Sequence, residues 1–262
     1  ALPGEVSLFD ECHCALFVHP ATPKSVSWIS LDTAPPSVGG DCESFALSDL
    51  RSEVIRNGYG SCLDGMDYVI DGKAKCPVHE ELGCPLDDAE ILAILLYSGC
   101  DCYKNLRESE MAGNYGTWRI FGHVLDRAVR QLSKAQIRRY GPSLGVCGRR
   151  TKTIVVYHGM RGVQVCKGLH VLPTATSFSV SESVSQEFAG SSSESWSSVI
   201  KLHNCKSRKS CGGIVAADIS WISKFPSERE VLVARFGGIL VTKETTDENM
   251  SQCVEAVTIL GD

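Results

Sequence analysis

Apolar positions along the chain follow two different rhythms. Between about residues 85 and 142 they recur at helical spacing; beyond about residue 150 they fall into short β-branched runs. "PLDDAEILAILLYSG" (85–99) predicts a helix: Pro85 is tolerated in a first turn, Asp87, Asp88 and Glu90 suit the positive end of the dipole, and Gly99 suits the stop. "TWRIFGHVLDRAVRQLSKAQIRRYGP" (117–142) predicts a second, with Phe121, Leu125, Ala128 and Leu132 on one stripe and Gly141-Pro142 ending it. The runs "TIVVY", "SSVIKL", "GIVAADISW", "EVLVARF", "GILVTKE" and "VEAVTIL" predict strands separated by turn residues. Helices first and strands later argue for an α+β fold over alternating βαβ units. Residues 1–84 carry Gly, Pro, Cys and turn signals such as "APPSVGGD" and "NGYGS", which predict an irregular extension packed on the core. The serine-rich "GSSSESWSS" (190–198) predicts a flexible loop.

Composition narrows the picture without changing it. The chain has 262 residues, 43% hydrophobic and 22% charged, so it has ample material for a core. A net charge of −5 argues against a surface built to coat nucleic acid. No apolar run approaches the ~20 residues that span a bilayer, and the start at Ala1 leads to the expectation of a processed product. The 13 cysteines are an odd number and lack regular Cys-x2-Cys doublets, so free buried thiols and a cytoplasmic setting are preferred over a disulfide framework and secretion. Cys76, His79 and Cys84 form a zinc alternative that this spacing supports poorly, and no metal is expected. The sequon Asn249-Met250-Ser251 matters only in a secreted chain. Eight basic residues and no acidic one lie between 127 and 152; a solvated helix face is the preferred reading, a patch for an anionic partner the alternative.

Three short stretches carry candidate chemistry. "FPSEREVLV" (225–233) closes a loop and opens a strand, so Glu228 and Glu230 share one side of an extended chain, their Cβ atoms roughly 6–7 Å apart. Neighbouring carboxylates at such a junction are costly if buried and useful beside a sugar, where one stabilises positive charge and the other orients a nucleophile. "TATSFSVSESVSQEFAG" (174–190) pairs Ser177 and Ser179 on one strand face ahead of a helical turn ending at Phe188. Ser181 and Ser183 read as N-cap residues. "YHGMRG" (157–162) ends a β-branched strand with His158, Gly159 and Arg161.

In this order the three fragments resemble the ADP-ribosyltransferase superfamily. Ser177-Phe178-Ser179 resembles the middle motif of its arginine-modifying branch, with Phe188-Ala189 at the matching distance, and Glu228-Arg229-Glu230 resembles the last. "ISKFPSEREVL" (222–232) is similar to the corresponding segment of eukaryotic mono-ADP-ribosyltransferases, and "YSGCDCYKNLR" (97–107) resembles, at shorter spacing, the family's tyrosine- and asparagine-bearing helical region. The first motif departs: His158 stands where an arginine is usual. "Tyr-His-Gly" resembles instead the diphtheria-toxin and poly-ADP-ribose polymerase branch, although that branch's pair of tyrosines clamping nicotinamide is not visible. Arg161 is the alternative to His158, but strand alternation points it away. The resemblance covers about residues 85–262, taken as the catalytic domain.

It implies N-terminal helices packed on a core of two antiparallel β-sheets with an NAD cleft. It implies that NAD is the substrate, that no metal or further cofactor is used, and that a protein side chain, arginine first, accepts ADP-ribose as nicotinamide leaves. Glu230, Glu228 and Ser177 would be catalytic; His158, Gly159, Ser177, Ser179, Phe188 and Glu230 would bind NAD; Phe225 or Trp221 would touch the acceptor protein. The absence of a Gly-x-Gly-x-x-Gly after a strand agrees with a non-Rossmann site. The competing readings are NAD glycohydrolysis, a glycan hydrolase using the two glutamates, a catalytically silent module with this fold, and a zinc-binding interaction protein. Neither a membrane nor a nucleic acid is an expected partner.

Overall fold

Helices fill the first half and strands the second half of the computed structural model, which describes residues 44–140, 153–190, 196–205, 215–247 and 251–258. The expectation of an irregular segment is corrected over residues 44–84, where three short helices form: α1 (Leu47–Arg56), α2 (Met66–Ala74) and α3 (Pro77–Glu81). The turn residues that suggested irregularity lie between them, with Gly58 and Gly65 in left-handed backbone at φ 87° and 73°. Leu50, Val54, Ile70 and Leu82 from this segment join the apolar cluster of the later helices. Residues 1–43 lie outside the described residues.

Helix α4 (Asp88–Gly99) starts at a capping box. Asp87 accepts from the Glu90 amide at 2.8 Å and Glu90 accepts from the Asp87 amide at 2.9 Å, so Pro85 precedes the cap. Helix α5 (Cys102–Met111) follows after a break, so 97–107 is two helices and not one. The long α6 (Arg119–Tyr140) buries its stripe of Phe121, Leu125, Ala128 and Leu132. Its first amides are held by the buried Glu53 of α1, 3.1 Å from the Ile120 nitrogen and 2.7 Å from that of Phe121. Three members of the basic run have ion-pair partners, while Lys134 and Arg138 are exposed. Arg127 bonds Glu90 and Asp87, Arg130 bonds Asp126, and Arg139 bonds Glu81. Arg149, Arg150 and Lys152 lie outside the described residues, as do Asn249 and Met250 of the sequon.

The strands are β1 (Thr153–Arg161), β2 (Gly168–Leu172), β3 (Thr176–Ser179), β4 (Ser197–Cys205), β5 (Ala216–Asp218), β6 (Glu230–Val233), β7 (Gly237–Thr246) and β8 (Ser251–Thr258), with helix α7 (Glu182–Ala189) after β3. Strand β2 was not foreseen. The expectation of two antiparallel sheets is corrected to one ladder, ordered β2-β7-β8-β4-β1-β3-β6-β5, in which β4 and β8 run parallel. Residues from both ends of that order nevertheless share one apolar cluster: Leu172, Ile239 and Val241 with Phe178, Val231 and Val233. Val156 of β1, Ile200 of β4 and Val254 of β8 belong to the same cluster, so one apolar layer runs along the whole ladder. Alternation along β6 serves two cores at once, with Val231 and Val233 in this cluster and Leu232 in the helical one. The helical layer meets the sheet at β5 and β6, where Ala217 and Leu232 join its cluster. No described helix is long and apolar enough to cross a membrane.

Candidate active site

A cavity of about 390 Å³ opens where α4 and α5 meet strands β1, β3 and β6. All seven residues that the motifs single out line it: His158, Gly159, Ser177, Ser179, Phe188, Glu228 and Glu230.

Glu230 opens β6, paired across the ladder with Ser179 and 4% exposed. Burial pushes its carboxyl above the ordinary range, while hydrogen bonds from Ser177 and Ser223 act in the opposite direction. The Ser223 hydroxyl lies 3.1 Å from Oε2 and accepts from the Phe225 amide at 3.1 Å, so one serine ties the carboxylate to the loop before it. The two glutamates do not sit side by side on an extended strand. Glu228 ends a short 3-10 turn (Pro226–Glu228), and Arg229 is left-handed at φ 49°, which corrects the expected geometry. A single left-handed residue reverses the chain locally and brings both carboxylates to the same cavity. The Ser179 hydroxyl donates to the Glu228 carbonyl at 2.6 Å and accepts from the Ser181 amide at 3.0 Å, so it anchors the turn as well as lining the cavity. Ser181 stands at the N-cap of α7 but makes no side-chain cap bond; its hydroxyl meets that of Ser183.

His158 sits in β1 with Nδ1 2.6 Å from the Ser177 carbonyl. A carbonyl only accepts, so Nδ1 carries the proton and Nε2 is a bare acceptor. Nε2 is shielded from water and has no protein partner among the described residues. Burial, helped by the Arg107 charge, lowers the His158 pKa to about 4, so the ring is neutral at physiological pH. Gly159 has a packing reason beside any role at the cavity: a Cβ there would stand 1.8 Å from the Ser185 carbonyl oxygen of α7. Phe188, on α7, is 59% exposed at the cavity edge. Arg161 is not among the cavity residues and its side chain passes over Gly190.

The helical wall contains residues of the stretch 97–107 to which the sequence assigned no individual role. Tyr97 donates its hydroxyl to the Ala175 carbonyl at 2.9 Å, and its ring lies 5.7 Å from that of Tyr103. Both tyrosines line the cavity, together with Tyr157, Lys104 and Arg107. Asn105 of "YSGCDCYKNLR" does not; its amide bonds the Tyr59 hydroxyl. Arg107 follows Tyr103 by four residues, one turn along the same helix face, and that spacing was the available signal. Phe225 stands at the cavity rim, whereas Trp221 stacks on His79 at 5.6 Å. His79 spends both ring nitrogens on backbone groups, Nδ1 at 2.8 Å from the Ala74 carbonyl and Nε2 at 3.2 Å from the Leu86 amide, and has none left for zinc.

No family model matches the sequence, and no curated protein matches it either. Solved structures do. Exoenzyme S from Pseudomonas aeruginosa, solved in complex with human 14-3-3 protein beta and bound to carba-NAD, superposes with a TM-score of 0.53 at 15% identity over 81% of this chain and 88% of its own. The mono-ADP-ribosyltransferase ART2.2 gives 0.47 at 15% identity over 81% and 83%. HopU1 of Pseudomonas syringae pv. tomato DC3000 gives 0.49 at 15% over 74% and 87%. At this identity the likeness speaks for architecture alone: the chain is an α+β protein with the fold of the ADP-ribosyltransferase superfamily.

Proposed function

We propose that this protein transfers ADP-ribose from NAD to a protein side chain, arginine first, with release of nicotinamide. The observation that carries the reading is a buried carboxylate, Glu230, held by the Ser223 hydroxyl in the same cavity as a neutral histidine whose Nε2 has no protein partner among the described residues. An orphaned buried acceptor fits a ligand that brings its own hydroxyl, as a ribose does.

NAD supplies the bond that breaks, between nicotinamide and the ribosyl carbon. Glu230 accepts a hydrogen bond from the ribose 2′-hydroxyl and faces the positive charge that grows as nicotinamide departs, so its contribution is largest in the transition state. Ser177 and Ser223 fix that carboxylate and oppose the rise in its pKa, which keeps the ionised form available. His158 Nε2 accepts a second ribose hydroxyl, with Ser177 setting its tautomer through Nδ1. Tyr97, Tyr103 and Phe188 offer aromatic surface to the nicotinamide. Arg107 and Lys104, the cations of the cavity wall, meet the diphosphate. Glu228, on its turn, grips the incoming guanidinium, which a carboxylate holds through two parallel hydrogen bonds. Phe225 at the rim touches the acceptor protein.

The decisive test is Glu230→Gln, which keeps shape and removes charge. NAD turnover, followed by nicotinamide release, is expected to fall at least about a hundredfold; unchanged turnover would overturn the reading.

A further inference from the structure

The loop from β5 to β6 brings Phe225 and Glu228 to the cavity rim, and the span between them is tied down at both ends. On the strand side the Ser179 hydroxyl donates to the Glu228 carbonyl at 2.6 Å. On the helical side Lys224 is fastened to the end of α4. Its Nζ donates to the Gly99 carbonyl at 3.0 Å and its amide donates to the Ser98 hydroxyl at 3.2 Å. Gly99 is the last residue of α4, so its carbonyl is one of those that a helix leaves without an internal partner at its negative end, where a cation is favoured. The stem packs as closely as the head: a Cβ on Gly99 would stand 2.3 Å from the Lys224 Cδ and 2.9 Å from its Cβ. Lys224 is exposed and does not line the cavity, but its two neighbours in sequence serve it. Ser223 is 1% exposed, meets Glu230 Oε2 at 3.1 Å and accepts from the Phe225 amide at 3.1 Å. The fastening at Lys224 therefore sets the direction in which the chain leaves the residue that holds Glu230 and enters the rim.

We infer that Lys224 is a positioning residue that governs which of two acceptors, a protein side chain or water, takes the ribosyl carbon; the inference rests on the proposed function. In both branches the bond to nicotinamide breaks and nicotinamide leaves with its electron pair. In transfer, a guanidinium nitrogen of the acceptor bonds to that carbon and gives up one proton; in hydrolysis, a water oxygen does the same. Glu230 serves both branches, whereas Glu228 and Phe225 serve only the first. Their place at the rim depends on the span 225–228 being held at its two ends. Releasing the Lys224 end lets that span withdraw, and water then reaches the carbon more often than the acceptor does.

Two variants of the full chain break the contact from opposite sides. Lys224→Met keeps the stem and removes the donor; Gly99→Ala keeps the donor and drives the stem away. Alanine suits a helix better than glycine, so a general weakening of α4 is not expected from the second. Hydrogen exchange without NAD should be about fivefold faster over residues 222–229 in each variant and unchanged in β1 and β3. With labelled NAD and an arginine-rich peptide, the ratio of label transferred to nicotinamide released should fall about fivefold, with KM for NAD unchanged. The double variant should be no worse than either single one, because both remove the same contact. Unchanged exchange, an unchanged ratio, equal loss of transfer and nicotinamide release, additive losses in the double variant, or a wild type that releases nicotinamide and labels no peptide would each overturn the inference and leave the Glu230 reading standing. A wild type that releases no nicotinamide overturns that reading, and this one with it.

Discussion

The cavity has two walls of different construction. One is made of strands: His158, Ser177 and Glu230 sit in the registers of β1, β3 and β6, with backbones locked by neighbours on both sides. The other is made of helix ends and a loop: Cys100, Asp101, Lys104 and Arg107 face Phe225 and Glu228 across the fastening at Lys224. Exposure separates them, with Glu230 at 4% and Phe225 at 46%. Under the proposed function the division suits two demands. Stabilising a fleeting charge requires a group that does not reorganise, whereas meeting varied acceptors requires groups that project and adapt.

The strongest test of that division is Glu228→Gln. If the loop wall serves only the acceptor, transfer to protein should fall at least about a hundredfold while NAD hydrolysis persists; equal loss of both, measured by labelled NAD and by nicotinamide release, would merge the two walls into one function. Arg107→Ala probes the helical wall. Loss of one charge-assisted contact to a diphosphate should raise KM for NAD about tenfold and leave kcat nearly intact; a fall in kcat alone would move Arg107 to the reacting centre. The smallest effect belongs to His158→Gln, on the strand wall. The native His158 stays neutral down to about pH 4 while the unfolded chain takes up a proton near 6.5. Its contribution to stability is therefore complete above about 6.5 and lost as pH falls towards 4. Thermal melts across that window should show the wild type losing several degrees more than the variant; parallel curves would mean that the ring is hydrated in the native state.

Legibility in the sequence followed the range of the forces. Local signals read well: the acids Asp87, Asp88 and Glu90 marked the start of α4, although Pro85 precedes the helix and does not sit in its first turn, and the α6 stripe announced its buried face. Helices α1 to α3 were hidden because each is short and depends on burying Leu50, Val54 and Ile70 against later helices, while the turn residues between them dominate the local pattern. Strand β2 was hidden for a related reason, since "GLHVL" is brief, opens on a glycine and owes its place to pairing with β7. The continuity of the ladder was not readable, because the pairing order is a property of all eight strands together. At the site, the residues within motifs assembled as their order suggested. Tyr97, Tyr103 and Arg107 lie in the stretch 97–107 and Ser223 in the stretch 222–232, yet the sequence assigned none of them a role, because tertiary closure brings the first three to the cavity and the loop before β6 brings Ser223 to Glu230. Glu228 and Glu230 reached the cavity by a route that strand alternation does not contain.

That route runs through the left-handed backbone at Arg229. One peptide step uncouples the setting of its two neighbours: Glu230 inherits its place from β6, and Glu228 takes its own from the turn. A mutation that reshapes the turn can thus move Glu228 while Glu230 keeps its position; under the proposed function, acceptor choice would then drift at little cost to the chemistry at the ribose.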